Sequence, residues 1–126
     1  MKVLVTDDEP MVLMAVRSLF ESHGHQVDVC TDGRGAVRTI SGGAYDLVVL
    51  DWMLPDVEGI DVVREVRARG HGVPVLMLTS RSQSRDLVRA LDAGADDFVP
   101  KQDLRPEVLL ARSRSEEHTS ELQSLT

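Results

Sequence analysis

Asp46-Leu47-Val48-Val49-Leu50-Asp51 places four consecutive apolar residues between two carboxylates. A strand with one wet face alternates apolar and polar residues. This run does not alternate, so both of its faces must be covered, as in a parallel strand packed between helices. Similar runs lie on either side of it. Lys2 to Thr6 runs into Asp7-Asp8, Gln26 to Cys30 precedes Asp32-Gly33, Pro74 to Leu78 ends at Thr79, and the short Phe98-Val99 pair stops just before Lys101. The segments between them carry a helical rhythm. Pro10 suits a first helical turn, Val12, Leu13, Val16, Leu19 and Phe20 follow at helical spacing, and Gly24 stands where a helix commonly stops. A second helix holds Ala36, Val37 and Ile40 and ends at Gly42-Gly43. A third, from about Ile60 to Arg69, carries Val62, Val63 and Val66. A fourth carries Leu87, Val88 and Leu91 and ends at Gly94, and a fifth carries Val108, Leu109 and Leu110. Strand and helix alternate five times. Parallel strands need crossovers, so the expectation is an α/β fold with a doubly wound parallel sheet and helices on both faces.

In open sheets of this kind ligands bind beyond the carboxyl ends of the strands, where the strand order reverses. For the order 2-1-3-4-5 that place lies between strands 1 and 3, which end in Asp7-Asp8 and in Asp51. Thr79 and Lys101 end the two strands on the far side. Three carboxylates, one hydroxyl and one ammonium at a single sheet edge suit a hard divalent cation such as Mg²⁺ together with a phosphoryl group. The cation relieves the mutual repulsion of the acids. That leaves Asp51 able to act as a nucleophile toward phosphorus, with Lys101 and Thr79 supplying positive charge and a hydrogen bond. Asp56, Asp61, Asp96 and Asp97 read as loop or helix-start residues. His23, His25 and His71 lack metal-ligand spacing, and Trp52 reads as a partly exposed packing residue beside the site.

Composition narrows the function classes. The 126 residues suffice for one domain with a real core, and the net charge of −7 argues against a nucleic-acid or anionic-membrane surface. Arg64, Arg67 and Arg69 are spaced like the wet face of a helix. Cys30 is the lone cysteine, which excludes an intrachain disulfide and reads as a buried structural thiol. No stretch approaches transmembrane length and the opening apolar run is too short for a signal peptide, so a cytoplasmic location is expected. The native domain is expected to span residues 1–113. The tail from Arg114 to Thr126 has no apolar stripe and is recognised as an in-frame translation of a common sequencing-library adapter, set aside from fold reasoning.

Val5-Thr-Asp-Asp-Glu-Pro10, Leu50-Asp-Trp-Met-Leu-Pro55 with Gly59, Leu78-Thr79, and Asp92-Ala-Gly-Ala-Asp-Asp-Phe98 through Lys101 resemble the receiver domain of two-component response regulators, over about residues 2 to 112. The resemblance implies a flavodoxin-like (βα)₅ fold. Asp51 is then the phosphoacceptor for a sensor histidine kinase, Asp8 a direct Mg²⁺ ligand, and Asp7 one acting mainly through water, with the Met53 backbone carbonyl adding an oxygen. Thr79 and Lys101 match the family's phosphoryl-binding pair, and Phe98 the aromatic that changes rotamer with Thr79. In the family this coupling reshapes the face made by helix 4, strand 5 and helix 5, through which a homodimer is expected. The sequence around Trp52 and Gly94 further resembles receivers fused to winged-helix DNA-binding domains, so DNA would be met only through an output domain and not by this one.

Two positions depart from the family pattern. Gln102 follows Lys101 where the family usually has a cis-bonded proline, and Asp103 stands where a phenylalanine is usual. A cis bond before a non-proline costs about 2.5–4 kcal/mol, so a trans Lys101–Gln102 bond is expected. Two rival functions make different demands on these residues. An aspartyl-phosphate phosphatase would want a second aspartate where Met53 stands, and a degenerate receiver acting only as a phosphorylation-independent binding module would not need the complete acid triad.

Overall fold

The structure, a computed structural model, describes residues 1–80, 87–101 and 111–112. The expected fifth helix (Ala111 and Arg112 excepted, which are helical), the Lys101–Gln102 bond and the tail lie outside the described residues. The elements in order are β1 (Lys2–Thr6), α1 (Pro10–Ser22), β2 (Gln26–Cys30), α2 (Gly33–Gly42), β3 (Leu47–Asp51), α3 (Gly59–Ala68), β4 (Val75–Thr79), α4 (Leu87–Ala93) and β5 (Asp97–Pro100). All strand pairs are parallel and the sheet order is β2-β1-β3-β4-β5, as expected.

Successive residues of β3 point to opposite faces and enter two separate cores. Val48 and Leu50 join Leu4, Val75 and Met77 beneath α2 and α3, where Ala36, Ile40, Ile60, Val62, Val63 and Val66 close over them. Leu47 and Val49 join Val3, Val5, Leu76 and Leu78 on the other face, which Val16 and Phe20 of α1 cover. Every residue of β3 and β4 is buried. The unbroken apolar runs are thus two interleaved period-2 stripes, one for each face.

Four sequence readings are corrected by the packing. Trp52 is not partly exposed: at 2% exposure it belongs to the α2–α3 core, because the chain leaving β3 folds back over that face. Cys30 is half-buried rather than buried, its Sγ–H directed to the Asp32 carbonyl at 3.4 Å. In α4 part of the apolar stripe faces outward. Val88 and Leu91 are 67% and 46% exposed, while the small Ala90 is the residue buried against the sheet. Arg67 is no wet-face residue either. Its guanidinium donates to the Gly94 carbonyl from Nε and Nη2 (3.1 and 2.9 Å) and to the His71 carbonyl from Nη1 (2.7 Å). It also pairs with Asp96 at 3.1 Å, and the same Asp96 oxygen accepts from the Val75 amide at 2.8 Å. One side chain therefore ties the end of α3 to the start of β4 and to the turn entering β5. That turn needs Gly94, whose φ of 114° disfavours any side chain and whose missing Cβ leaves room for the Arg67 stem.

A buried residue of α3 and an outward residue of α4 give a direct check on this packing. Ile60→Ala, in the core, should lower stability by about 2–5 kcal/mol, whereas Val88→Ser should change it by less than about 0.5 kcal/mol. Chemical denaturation of the two variants separates this arrangement from one in which Val88 is a core residue.

Candidate functional site

Register brings the acids together. Thr6 of β1 lies opposite Leu50 of β3, so one step further along both strands sets Asp7 beside Asp51. Each strand then leaves the sheet by a tied turn. After β1, Asp7 Oδ1 accepts from the Glu9 amide at 2.9 Å, an Asx-type turn that delivers Pro10 to the first turn of α1. After β3, Met53 and Glu58 pair as an antiparallel bridge and the Gly59 amide donates to the Trp52 carbonyl at 2.6 Å. Gly59 is required here by close approach: a Cβ would run into the Asp51 carbonyl oxygen.

Asp7 and Asp51 are buried and Asp8 is exposed, and ligand oxygens of all three lie within 4.8 Å of one another. Lys101, just beyond β5, reaches back across the end of β4. Its Nζ stands 3.1 Å from Asp51 Oδ1, 3.2 Å from Asp7 Oδ2 and 3.0 Å from Glu9 Oε1. Asp8, Glu9, Asp51, Met53, Ser80 and Lys101 line an open depression of about 330 Å³.

The electrostatics follow from this crowding. Burial, and then the charge of Asp7, push the Asp51 carboxyl up to about 6, although Lys101 and a hydrogen bond from the Met53 amide act in the opposite sense. For Lys101, burial acts to lower the pKa. The hydrogen bonds to Glu9 and Asp51 and the charges of Asp51 and Asp7 outweigh it, so the ammonium is held above its ordinary range. Asp7 Oδ2 is buried and, despite the nearby ammonium, accepts no hydrogen bond. A clustered hard-oxygen donor set containing a buried oxygen without a donor, and a carboxyl resisting ionisation, fits a divalent cation of the Mg²⁺ type.

The structure brings Asp7, Asp8, Asp51 and Lys101 into one cluster. Thr79 is buried at the end of β4, with its neighbour Ser80 lining the depression. Phe98, in β5, is half-buried against the α2–α3 core and lies opposite Met77 in the sheet. The Met53 side chain is exposed while its amide reaches Asp51. Sequence reading missed Glu9 as a partner of Lys101. Its place directly after Asp7-Asp8 was the available signal, but the pairing spans 92 residues and cannot be read locally. The described histidines lie outside the cluster: His25 Nδ1 meets the N-terminal ammonium at 2.8 Å, and His23 lies against the Leu19 carbonyl. Among the described residues no helix is long and apolar enough to cross a membrane.

Residues 3–114 match the family model described as the response regulator receiver domain. The chain is 40% identical over 122 residues (97% of its length, 54% of the relative's) to the transcriptional regulatory protein DltR of Streptococcus agalactiae. It is 46% identical over 101 residues (79% of its length, 40% of the relative's) to the transcriptional regulatory protein TcrA of Mycobacterium tuberculosis. The chain therefore spans about half the length of the curated relatives it matches. Among solved structures, the response regulator TrrA of Thermotoga maritima, in complex with Mg²⁺-BeF, superposes with a TM-score of 0.81 at 28% identity, covering 91% of this chain and 97% of that one. The acid cluster thus sits in the fold and sequence context of two-component signalling, and the chain belongs to the response regulator receiver domain family.

Proposed function

We propose that this chain is a phosphorylation-dependent switch in which Asp51 accepts a phosphoryl group from a sensor histidine kinase with the help of Mg²⁺. The observation that carries the reading is a buried Asp51 carboxylate with an ammonium 3.1 Å away and two more carboxylates within 4.8 Å. Asp7, Asp8, Asp51 and the Met53 backbone carbonyl would hold the cation. When bound, the cation neutralises the acids and the incoming phosphoryl oxygens. An Asp51 oxygen attacks phosphorus as the N–P bond of the donor phosphohistidine breaks, leaving an acyl phosphate on Asp51 and a free imidazole on the kinase. Lys101 pairs with a phosphoryl oxygen from the position it already holds beside Asp51. The Thr79 hydroxyl donates to another oxygen, and Phe98 shifts as Thr79 moves.

In this reading the domain catalyses only its own phosphorylation and dephosphorylation and works in the cytoplasm. A homodimer uses the face of helix 4, strand 5 and helix 5, to which α4 contributes the exposed Val88 and Leu91. DNA is reached only through an output domain and not by this one; the relatives, of which this chain spans about half, are named transcriptional regulatory proteins. A phosphorylation-independent binding module is the weaker alternative, since it leaves no use for two buried acids held beside each other.

Intact-mass analysis after incubation with acetyl phosphate tests the reading. A single phosphoryl adduct is expected with Mg²⁺, and none with excess chelator or in Asp51→Asn. A folded wild-type protein that stays unlabelled with Mg²⁺ would overturn it.

The Asp51 environment also sets a pH dependence. The native group, at about 6, holds its proton where the unfolded chain has already lost it. Stability contributed here is therefore present at low pH and lost as pH rises from about 4 through 6. Without metal, Asp51→Asn should be more stable than wild type at pH 7.5, by on the order of 1–3 kcal/mol, and the gain should vanish toward pH 4. Added Mg²⁺ should stabilise wild type and leave the variant nearly unchanged. Thermal melts across that pH range provide the check.

A further inference from the structure

Asp56 stands at the tip of the β3–α3 turn, away from the cluster of acids, yet it makes the longest-range side-chain-to-amide contact of that turn. Its Oδ1 accepts from the Gly33 amide at 2.8 Å and its Oδ2 from the Arg34 amide at 3.0 Å, while Oδ1 also meets its neighbour Val57's amide at 3.0 Å. Gly33 and Arg34 open α2, whose own cap, Asp32, takes a different amide, that of Gly35, at 2.6 Å. Two carboxylates therefore divide the free amides of one helix start, and one of them comes from more than twenty residues away. A second contact points the same way. Gly33 is buried, and a Cβ there would run into Val57 Cγ2, so the turn tip is seated against α2 at a spot that only glycine leaves open. The amides of Gly33 and Arg34 also hold the Asp56 carboxyl below its ordinary value, which keeps it ionised and bonded through the neutral range.

The seated turn leads directly to the phosphoacceptor. From the tip the chain returns through the Met53–Glu58 bridge and the Gly59-to-Trp52 hydrogen bond to Met53, two residues beyond Asp51. We infer that Asp56 is a positioning residue for the phosphoryl site: by clamping the tip of the β3–α3 turn onto the start of α2, it holds the Met53 backbone where Asp51 and the bound cation need it. This rests on the function proposed above, because the Met53 carbonyl matters only if a cation is held there. Groups one layer behind metal ligands commonly change affinity 10–100-fold when removed, and Asp56 acts at that distance through backbone.

The test uses the full chain and the fluorescence of Trp52, its single tryptophan and the neighbour of Asp51, to follow Mg²⁺ titration. Hydrogen exchange of the turn amides is measured without metal. Asp56→Ala should raise the Mg²⁺ Kd about tenfold and speed exchange at residues 53–58. Asp56→Asn, which keeps one acceptor oxygen, should fall between it and wild type. Gly33→Ala, acting from the opposite side of the contact, should reproduce the Asp56→Ala phenotype with the carboxylate intact. If Asp56→Ala melts at lower temperature but binds Mg²⁺ as wild type does, Asp56 is only a helix cap and the inference is wrong. If exchange in the turn is unchanged, there is no clamp. If wild type itself binds no Mg²⁺ while exchange responds as expected, the clamp stands as a structural tie, and it is the phosphoacceptor reading, with the positioning role, that falls.

Discussion

Asp7 and Asp51 are fixed side by side by the register of β1 on β3, both are buried, and neither can turn away without breaking its strand end. Two like charges under 5 Å apart repel by about 3–4 kcal/mol at an effective dielectric near 20. The repulsion is visible in the Asp51 carboxyl, which is driven up to about 6 by burial and by its neighbour. Such a pair persists only with compensation, and in this chain the compensation comes from Lys101 beyond β5. To reach both acids its side chain must lie across the end of β4. The depression is then walled by residues at or just beyond the ends of β1, β3, β4 and β5, with the buried Thr79 ending β4.

Much of this was legible in the amino-acid order because parallel strands buried on both faces leave a simple trace. Leu47 to Leu50 and Val75 to Leu78 have no polar residue to confuse the reading, and the chemistry-bearing residues stand where those runs stop. The order of strands then carries Asp7-Asp8 and Asp51 to one crevice without further information. What failed did so for identifiable reasons. A helical stripe such as Val88 and Leu91 announces an apolar face but not what lies opposite it. In α4 the small Ala90 is buried, and Val88 and Leu91 are left outside. Trp52 follows a site residue and so reads as rim, yet the turn after β3 folds it under α3.

Arg67, Asp56 and Glu9 share a different kind of illegibility. Each is an ordinary surface residue by type and spacing, and each acts on a backbone group or side chain that is distant in sequence: Gly94 and Asp96 for Arg67, Gly33 and Arg34 for Asp56, Lys101 for Glu9. No local pattern encodes such partners. Only small traces remain in the sequence, namely the glycines that make room: Gly94 beside the Arg67 stem and Gly33 beneath the turn tip. A glycine where neither a turn nor a positive φ demands one, as at Gly33, marks a place where two distant segments touch.

The two sides of the site are held by unlike forces, and this bears on the direction a signal would travel. On the β3–α3 side the restraints are backbone bonds of fixed geometry, the Met53–Glu58 bridge and the Gly59-to-Trp52 hydrogen bond, backed by the packing of Trp52 and Ile60. On the β5 side the described restraint at the site is a set of ion pairs made by one flexible lysine with three carboxylates. A phosphoryl group placed on Asp51 adds negative charge at the point where that lysine already divides its attraction. The backbone turn has no comparable response to make, so the redistribution of Lys101 falls on β5. The exposed Glu9 is its most easily released partner, because unlike Asp7 it can be resolvated by water. The element next to Lys101 is β5, where Phe98 stands opposite Met77 and is half-buried against the α2–α3 core. Stiffness on one side of the crevice thus gives direction to a change that begins as symmetric electrostatics.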